Sequence, residues 1–146
     1  MDEETNVNIE LKLDCVGVDW DEVYILRDRA GLGKFTVEQL RKAFENSNIT
    51  VFAFDANKLV GVRRALTDGA CQAALYDLAV LPEYQGKGIG KAMMKSILDR
   101  LPDCNVILYA NPGKESFYEQ FGFSKLLTGM GLFIHATTLR EKGFIE

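Results

Sequence analysis

Leu78-Ala79-Val80-Leu81-Pro82-Glu83-Tyr84-Gln85-Gly86-Lys87-Gly88-Ile89-Gly90-Lys91-Ala92-Met93-Met94 reads as a buried strand, a proline stop, a glycine-rich turn and the start of an apolar-periodic helix. Glycines at alternating positions leave the backbone of residues 85–90 uncovered just where a helix begins. Exposed N–H groups at the positive end of a helix dipole favour an anion. The glycine register excludes two better-known nucleotide loops. A G-x-x-x-x-G-K loop would need Gly-Lys where this chain has Lys91-Ala92 or Met93-Met94. A G-x-G-x-x-G fingerprint would need its third glycine at Lys91 or Met93.

Upstream, the chain reads as an antiparallel meander. Residues 49–54 are a strand, 55–58 a hairpin-type turn, and a returning strand runs from 59 to about 66. After a turn at 67–70, a third strand occupies 71–80. Further back, residues 7–13 alternate apolar and polar as a half-buried strand does. Asp19 is placed to cap a helix carrying Val23, Ile25, Leu26 and Ala30 and ending at Gly31. Thr36 opens a second helix with Val37, Leu40, Ala43 and Phe44 on one face.

Downstream of the loop, Ile89, Met93 and Ile97 form one stripe, widened by Ala92, Met94 and Leu98 into the face of a sheet-packed helix. Residues 105–110 read as an apolar strand, central and parallel to the strand before the loop because a helix separates them. Residues 115–120 form a short helix closed by Gly122. Residues 123–127 and 132–135 are expected as two closing strands, and 137–146 as a loose polar tail. The expected order is β-α-α-β-β-β-α-β-α-β-β, an α/β (or α+β) fold in one domain over residues 1–146.

The 146 residues, 47% hydrophobic and 26% charged, suit a single soluble domain with a sizeable core. A net charge of −4 builds no basic face, which argues against a nucleic-acid partner and mildly favours a cationic substrate. Cys15, Cys71 and Cys104 have neither the even count of a disulfide framework nor the spacing of a metal site, so no metal is expected. The acidic start, Met1-Asp2-Glu3-Glu4, is unlike a signal peptide, and no apolar run reaches membrane-span length. The expectation is a cytoplasmic protein with no membrane partner.

Gln85-Gly86-Lys87-Gly88-Ile89-Gly90 fits Gln/Arg-x-x-Gly-x-Gly/Ala, and so resembles the acetyl-CoA pyrophosphate loop of the GNAT superfamily of N-acetyltransferases. Residues 80–84 before it, Asn111, and Phe117-Tyr118-Glu119-Gln120-Phe121-Gly122-Phe123 match the same pattern. A nearer resemblance is to the small group that includes plant serotonin N-acetyltransferases. It rests on Arg64-Ala65-Leu66-Thr67-Asp68, Tyr76-Asp77, Gly129-Met130 and Phe133. This chain departs from that group at Tyr76, where the group carries Trp, and at Asn111, where it carries an acid.

The resemblance implies a mixed sheet whose parallel pair splays to admit pantetheine, with acetyl-CoA as donor and direct attack by a primary amine. It puts pyrophosphate on the backbone of Gln85, Gly86, Lys87, Gly88, Ile89 and Gly90. It puts pantetheine on the main chain of Leu78 and Val80, and Asn111 and Phe117 in the cofactor site. Lys87 and Lys91 add charge, or are solvated surface lysines. Tyr118 is the candidate general acid for the leaving thiolate, or a tyrosine packed on the sheet.

Transfer needs a neutral amine, whose pKa is about 10.4 by analogy with lysine. Asp77, an acid inside an apolar strand, is the candidate base, directly or through water; a buried carboxylate must be paired or perturbed. Its alternative is an ion pair with Arg63 or Arg64. Asp68 is the second candidate base, or a turn former. Trp20, Tyr76, Met130 and Phe133 form an amine pocket or belong to the core, and His135 is structural. The expected acceptor is a small amine (an aryl-alkyl amine, a polyamine or an amino sugar), or alternatively a protein amino group. A non-catalytic acyl-CoA sensor is the rival class, and a homodimer is left open.

Overall fold

The meander expected before the glycine loop is the spine of the first of two compact units, which divide between Leu108 and Tyr109. The computed structural model describes residues 8–146. Strand β1 (Ile9–Lys12) pairs antiparallel with β2 (Ile49–Asp55), β2 with β3 (Lys58–Thr67), and β3 with β4 (Gln72–Val80). A fifth strand, β5 (Asn105–Ile107), pairs parallel with β4, giving the order β1-β2-β3-β4-β5. Position 7 of the expected first strand lies outside the described residues.

Three helices cover the sheet. Helix α1 (Trp20–Arg29) starts at Asp19, whose carboxylate accepts the Asp21 N–H at 3.0 Å. Helix α2 (Val37–Glu45) has a full capping box: Thr36 accepts from the Gln39 N–H, and the Gln39 side chain accepts from the Thr36 N–H. Helix α3 (Ile89–Asp99) follows the glycine loop. Residues 49–53 of β2 are buried without a break, so both faces of the sheet are covered there. That explains why the strand reads as continuously apolar. Val23, Leu26, Leu40 and Phe44 close the core from α1 and α2, and Met93, Met94 and Ile97 close it from α3. Gly61 lets α3 come close: a Cβ there would sit 2.9 Å from Met93 Cε.

Two features of the sheet position the site. Parallel pairing of β4 with β5 is confined to Gln72, Ala73 and Ala74 against Asn105, Val106 and Ile107, while β4 runs on to Val80. The strand expected over 105–110 is therefore three residues long and lies at the sheet edge, not at its centre. Beyond the paired stretch β4 is bulged, with Tyr76 facing Arg64 and Ala79 facing Val62 on β3.

The second unit runs Tyr109–Glu146. Helix α4 (Glu115–Glu119) ends at left-handed Gly122 (φ 93°), with the Gly122 N–H on the Glu119 carbonyl at 3.0 Å. The two closing strands do not form: residues 121–135 hold no helix or strand. Leu127, Met130, Leu132 and Ile134 are almost fully exposed. Alternation specifies a strand only when a ladder partner satisfies its backbone, and among the described residues this segment has none. Phe133 instead meets Tyr109 edge-on at 5.4 Å. The expected loose tail begins inside helix α5 (Ala136–Glu141), where the Leu139 N–H bonds the His135 carbonyl at 3.1 Å. Polar composition hid a helix that its own backbone bonds sustain.

Candidate functional site

At the end of β4 the chain is stapled on both sides before the glycines begin. The Leu81 N–H bonds the Val60 carbonyl at 2.9 Å, and Pro82–Tyr84 form one 3-10 turn. Tyr84 donates its hydroxyl to Asp55 at 2.6 Å, and Glu83 pairs with Arg29 at 2.8 Å. Gln85 gives its backbone N–H to Pro82 and its side-chain amide to the Val80 carbonyl at 3.0 Å. Its role is thus to brace the loop, with its own N–H already committed. Gly86 (φ 77°) and Gly88 (φ 82°) then turn left-handed.

Gly88 is the N-cap of α3, yet no side chain caps this helix and no acid lies in its first turn. A helix leaves its first N–H groups without intrahelical acceptors; here Ala92, bonded to the Gly88 carbonyl at 3.0 Å, closes the first turn. The amides of Ile89, Gly90 and Lys91 therefore face out of the helix end. Lys87 is half-buried beside them and Lys91 exposed. Uncapped donors, a helix dipole and two lysines suit a phosphate-type anion.

The second constellation is the β4 bulge. Val62 faces Ala79 and Arg64 faces Tyr76, so Asp77 and Leu78 share the place opposite Arg63. Asp77 adopts φ 60°, left-handed and uncommon for a residue with a side chain. Its Oδ1 accepts Arg27 Nε at 3.0 Å, with Arg27 Nη2 in ion-pair contact at 3.0 Å, and its Oδ2 accepts Arg64 Nε at 2.6 Å. The side chains of Arg27, Asp77 and Arg64 are only 5%, 9% and 15% exposed. Arg27 also donates to the Gly33 carbonyl at 2.7 Å and lies over the Phe35 ring. Arg64 stacks on Tyr76 and Phe44. Of the partners the sequence suggests for Asp77, Arg64 is found bonded to it. Arg27 was not anticipated, because it lies on a helix fifty positions away and only the packing of α1 on β3 and β4 brings it there.

Asp68, the other acid considered, is a turn former. Its Oδ1 accepts the N–H groups of Ala70, Cys71 and Gln72 at 2.7, 2.8 and 3.1 Å. These backbone donors, Cys71 first, hold its carboxyl far below the usual carboxylate range.

In the second unit, the Asn111 carbonyl accepts the Lys114 N–H at 2.9 Å in the turn before α4. Tyr118 is buried, with its ring against Phe117 at 5.1 Å and Phe123 at 5.9 Å; Phe117 also meets Phe121 at 5.4 Å. The aromatics considered for an amine pocket are mostly spoken for. Trp20 packs with Phe44 and Phe52 in the core of the first unit, and Met130 points to solvent in the second. His135 is exposed at the start of α5.

Residues 23–129 match the acetyltransferase (GNAT) domain. The chain belongs to the GNAT acetyltransferase family. Among relatives of this GNAT domain, an uncharacterised ycf52-like N-acetyltransferase of Prochlorococcus marinus is 32% identical over 114 residues, 73% of this chain and 63% of its own length. Serotonin N-acetyltransferase 2, chloroplastic, of Oryza sativa is 33% identical over 103 residues, 66% of this chain and 52% of its own. A probable acetyltransferase of Staphylococcus aureus of known structure shares the fold with TM-score 0.79 and 27% identity, covering 87% of this chain and 98% of that one. The chain thus spans 63% and 52% of the two curated relatives' lengths. Among the described residues, no helix is long and apolar enough to cross a membrane.

Proposed function

We propose that this GNAT domain transfers the acetyl group of acetyl-CoA to a primary amine. The acceptor class we assign is a small aryl-alkyl amine, supported by the likeness to a serotonin N-acetyltransferase. The observation that carries the donor half is the uncapped α3 N-terminus behind left-handed Gly86 and Gly88. A β4 edge without its parallel neighbour beyond Ala74 leads into it.

On this reading the amides of residues 86–91 hold the pyrophosphate, with Lys87 and Lys91 adding charge. The main chain of Leu78 and Val80 bonds pantetheine as an added strand would. Asn111 and Phe117 are assigned to the same cofactor by the family pattern. When bound, acetyl-CoA supplies an activated thioester whose carbonyl the amine attacks as the thiolate leaves. Tyr118 would be the group that gives its phenolic proton to the leaving thiolate and takes one back from water.

The amine must shed a proton as well. Both oxygens of Asp77 already accept guanidinium N–H groups, so we assign that proton to water. It follows that kcat/KM climbs with pH toward the ordinary pKa of the amine, about 10.4 by analogy with lysine.

Thiol release from acetyl-CoA with a panel of amines and a lysine peptide tests the proposal. Amine-dependent release is expected, with Tyr118→Phe lowering turnover about 100-fold or more while KM for acetyl-CoA stays within about twofold. Release with the peptide but no small amine would move the acceptor class to polypeptide. No release with any acceptor would end the enzyme reading.

A further inference from the structure

We infer that Arg27 and Arg64 are positioning residues of the donor site: by gripping Asp77 they hold the β4 bulge, and so set the course of the strand edge that leads into the glycine loop. This inference rests on the acetyl-CoA reading proposed above.

Three observations carry it. The bulge is the place where β4 changes register against β3, with Tyr76 before it and Ala79 after it. An inserted residue bends the strand and redirects the groups beyond it. Those groups are Leu78, Ala79 and Val80, on the stretch of β4 that β5 no longer pairs. Next, the bulge is built on Asp77 at φ 60°, a conformation that most side-chain-bearing residues avoid and that Asp enters when its short side chain is bonded nearby. Finally, the bonds that keep it there come from separate elements.

Arg27 belongs to α1 and is itself tied to the Gly33 carbonyl and the Phe35 ring in the α1–α2 connection. Arg64 belongs to β3 and reaches Ser47, just past α2, at 3.3 Å. One carboxylate therefore collects two helices' surroundings and a strand onto a single backbone position. Two guanidiniums against one carboxylate is more than charge balance requires. Their planar forks instead fix both carboxylate oxygens in direction, which a lysine could not do. A carboxylate held from two sides in this way is a peg, and the strand edge beyond it inherits its placement.

The test compares acetyl-CoA affinity, by calorimetry on folded protein, with thermal midpoints. Asp77→Asn keeps the size of the side chain and a residue type that accepts the left-handed region but turns one of the two acceptor oxygens into a donor; a loss of binding between those of wild type and Asp77→Ala is expected, with the pH–rate profile unchanged. Asp77→Ala keeps neither and is expected to bind about tenfold or more weakly. Val51→Ala, a core truncation in β2, should lower the midpoint without weakening binding, which separates positioning from general destabilisation. Arg64→Lys retains charge without the fork and is expected to weaken binding about threefold; it gives the reading should Asp77→Ala fail to fold.

Full affinity in both Asp77→Ala and Arg64→Lys overturns the inference. So does equal loss of binding in Val51→Ala. Wild type that does not bind acetyl-CoA at all refutes the donor reading itself, and the positioning role falls with it.

Discussion

Two residues eleven positions apart share a left-handed backbone and reach it by opposite means. Gly88 turns at φ 82° because it has no Cβ, and nothing caps the helix it opens. Asp77 turns at φ 60° with a side chain, and that side chain is gripped by two arginines in a buried setting. The contrast follows from what each place must do. At the loop the main chain has to stay bare for an anion, so the conformation must cost no atoms. At the bulge nothing needs to approach the left-handed residue itself, so a tether can enforce the turn and join neighbouring elements as well. Glycine permits the geometry; the tethered aspartate imposes it.

The largest effect that can break this contrast is on stability at the bulge. Asp77→Ala removes the carboxylate that two buried guanidiniums share and places alanine in the left-handed region. Leaving buried charges uncompensated costs about 3–5 kcal/mol, or roughly 10–15 °C in Tm for a domain of this size. A Tm loss of only a few degrees would mean the arginines are satisfied without Asp77, and the bulge would not be tethered. At the loop the expected loss is smaller. Gly88→Ala pays the left-handed strain, about 1–2 kcal/mol, and its added methyl is expected to weaken acetyl-CoA binding at the bare main chain. Gly88→Asn should restore most of the stability, because Asn tolerates that region. Thermal melts with and without acetyl-CoA report both quantities; unaltered ligand stabilisation in Gly88→Ala would show that the loop does not hold the donor.

The same contrast explains what the sequence disclosed. Gly86 and Gly88 announce themselves by residue type, and so do the caps of α1 and α2, Asp19 and Thr36 with Gln39, because local chemistry decides them. The meander and α3 were legible from apolar period. Asp77 was legible only as an odd acid in an apolar strand; its backbone angle carries no mark, since most aspartates are right-handed or extended. Arg27 was invisible because its partner is fifty positions away, and only tertiary packing selects one arginine of α1 over its neighbour Arg29, which goes to Glu83 instead. The segment 123–135 misled for the reason that a strand is a relation between two chains of backbone: Met130, Leu132 and Ile134 alternate as a strand would and still stand in solvent. Helix α5 was missed because its sequence, with two threonines and few apolar positions, carries no amphipathic stripe.

The smallest effect sharpens the comparison at a third site, where the two devices are divided between neighbours. In the turn before β4, Gly69 takes the left-handed angle (φ 74°) and Asp68 beside it does the bonding, to three main-chain amides. Those amides hold the Asp68 carboxyl far below its usual range, so in the pH interval between its folded value and the unfolded value of about 3.9 the unfolded chain binds more protons than the folded one. Stability must therefore rise with pH there: the Asp68 contribution is complete above the unfolded pKa and is lost as pH falls toward the folded one. Comparing wild type with Asp68→Asn, the gap in Tm should be widest at pH 5–7 and close progressively between pH 4 and pH 2. The whole gap is expected to be well under half that of Asp77→Ala, because Asp68 is exposed and no arginine depends on it. A gap that stays constant with pH would show that the amide bonds at this turn do not distinguish carboxylate from amide, and that turn geometry alone, through Gly69, sets the entry into β4.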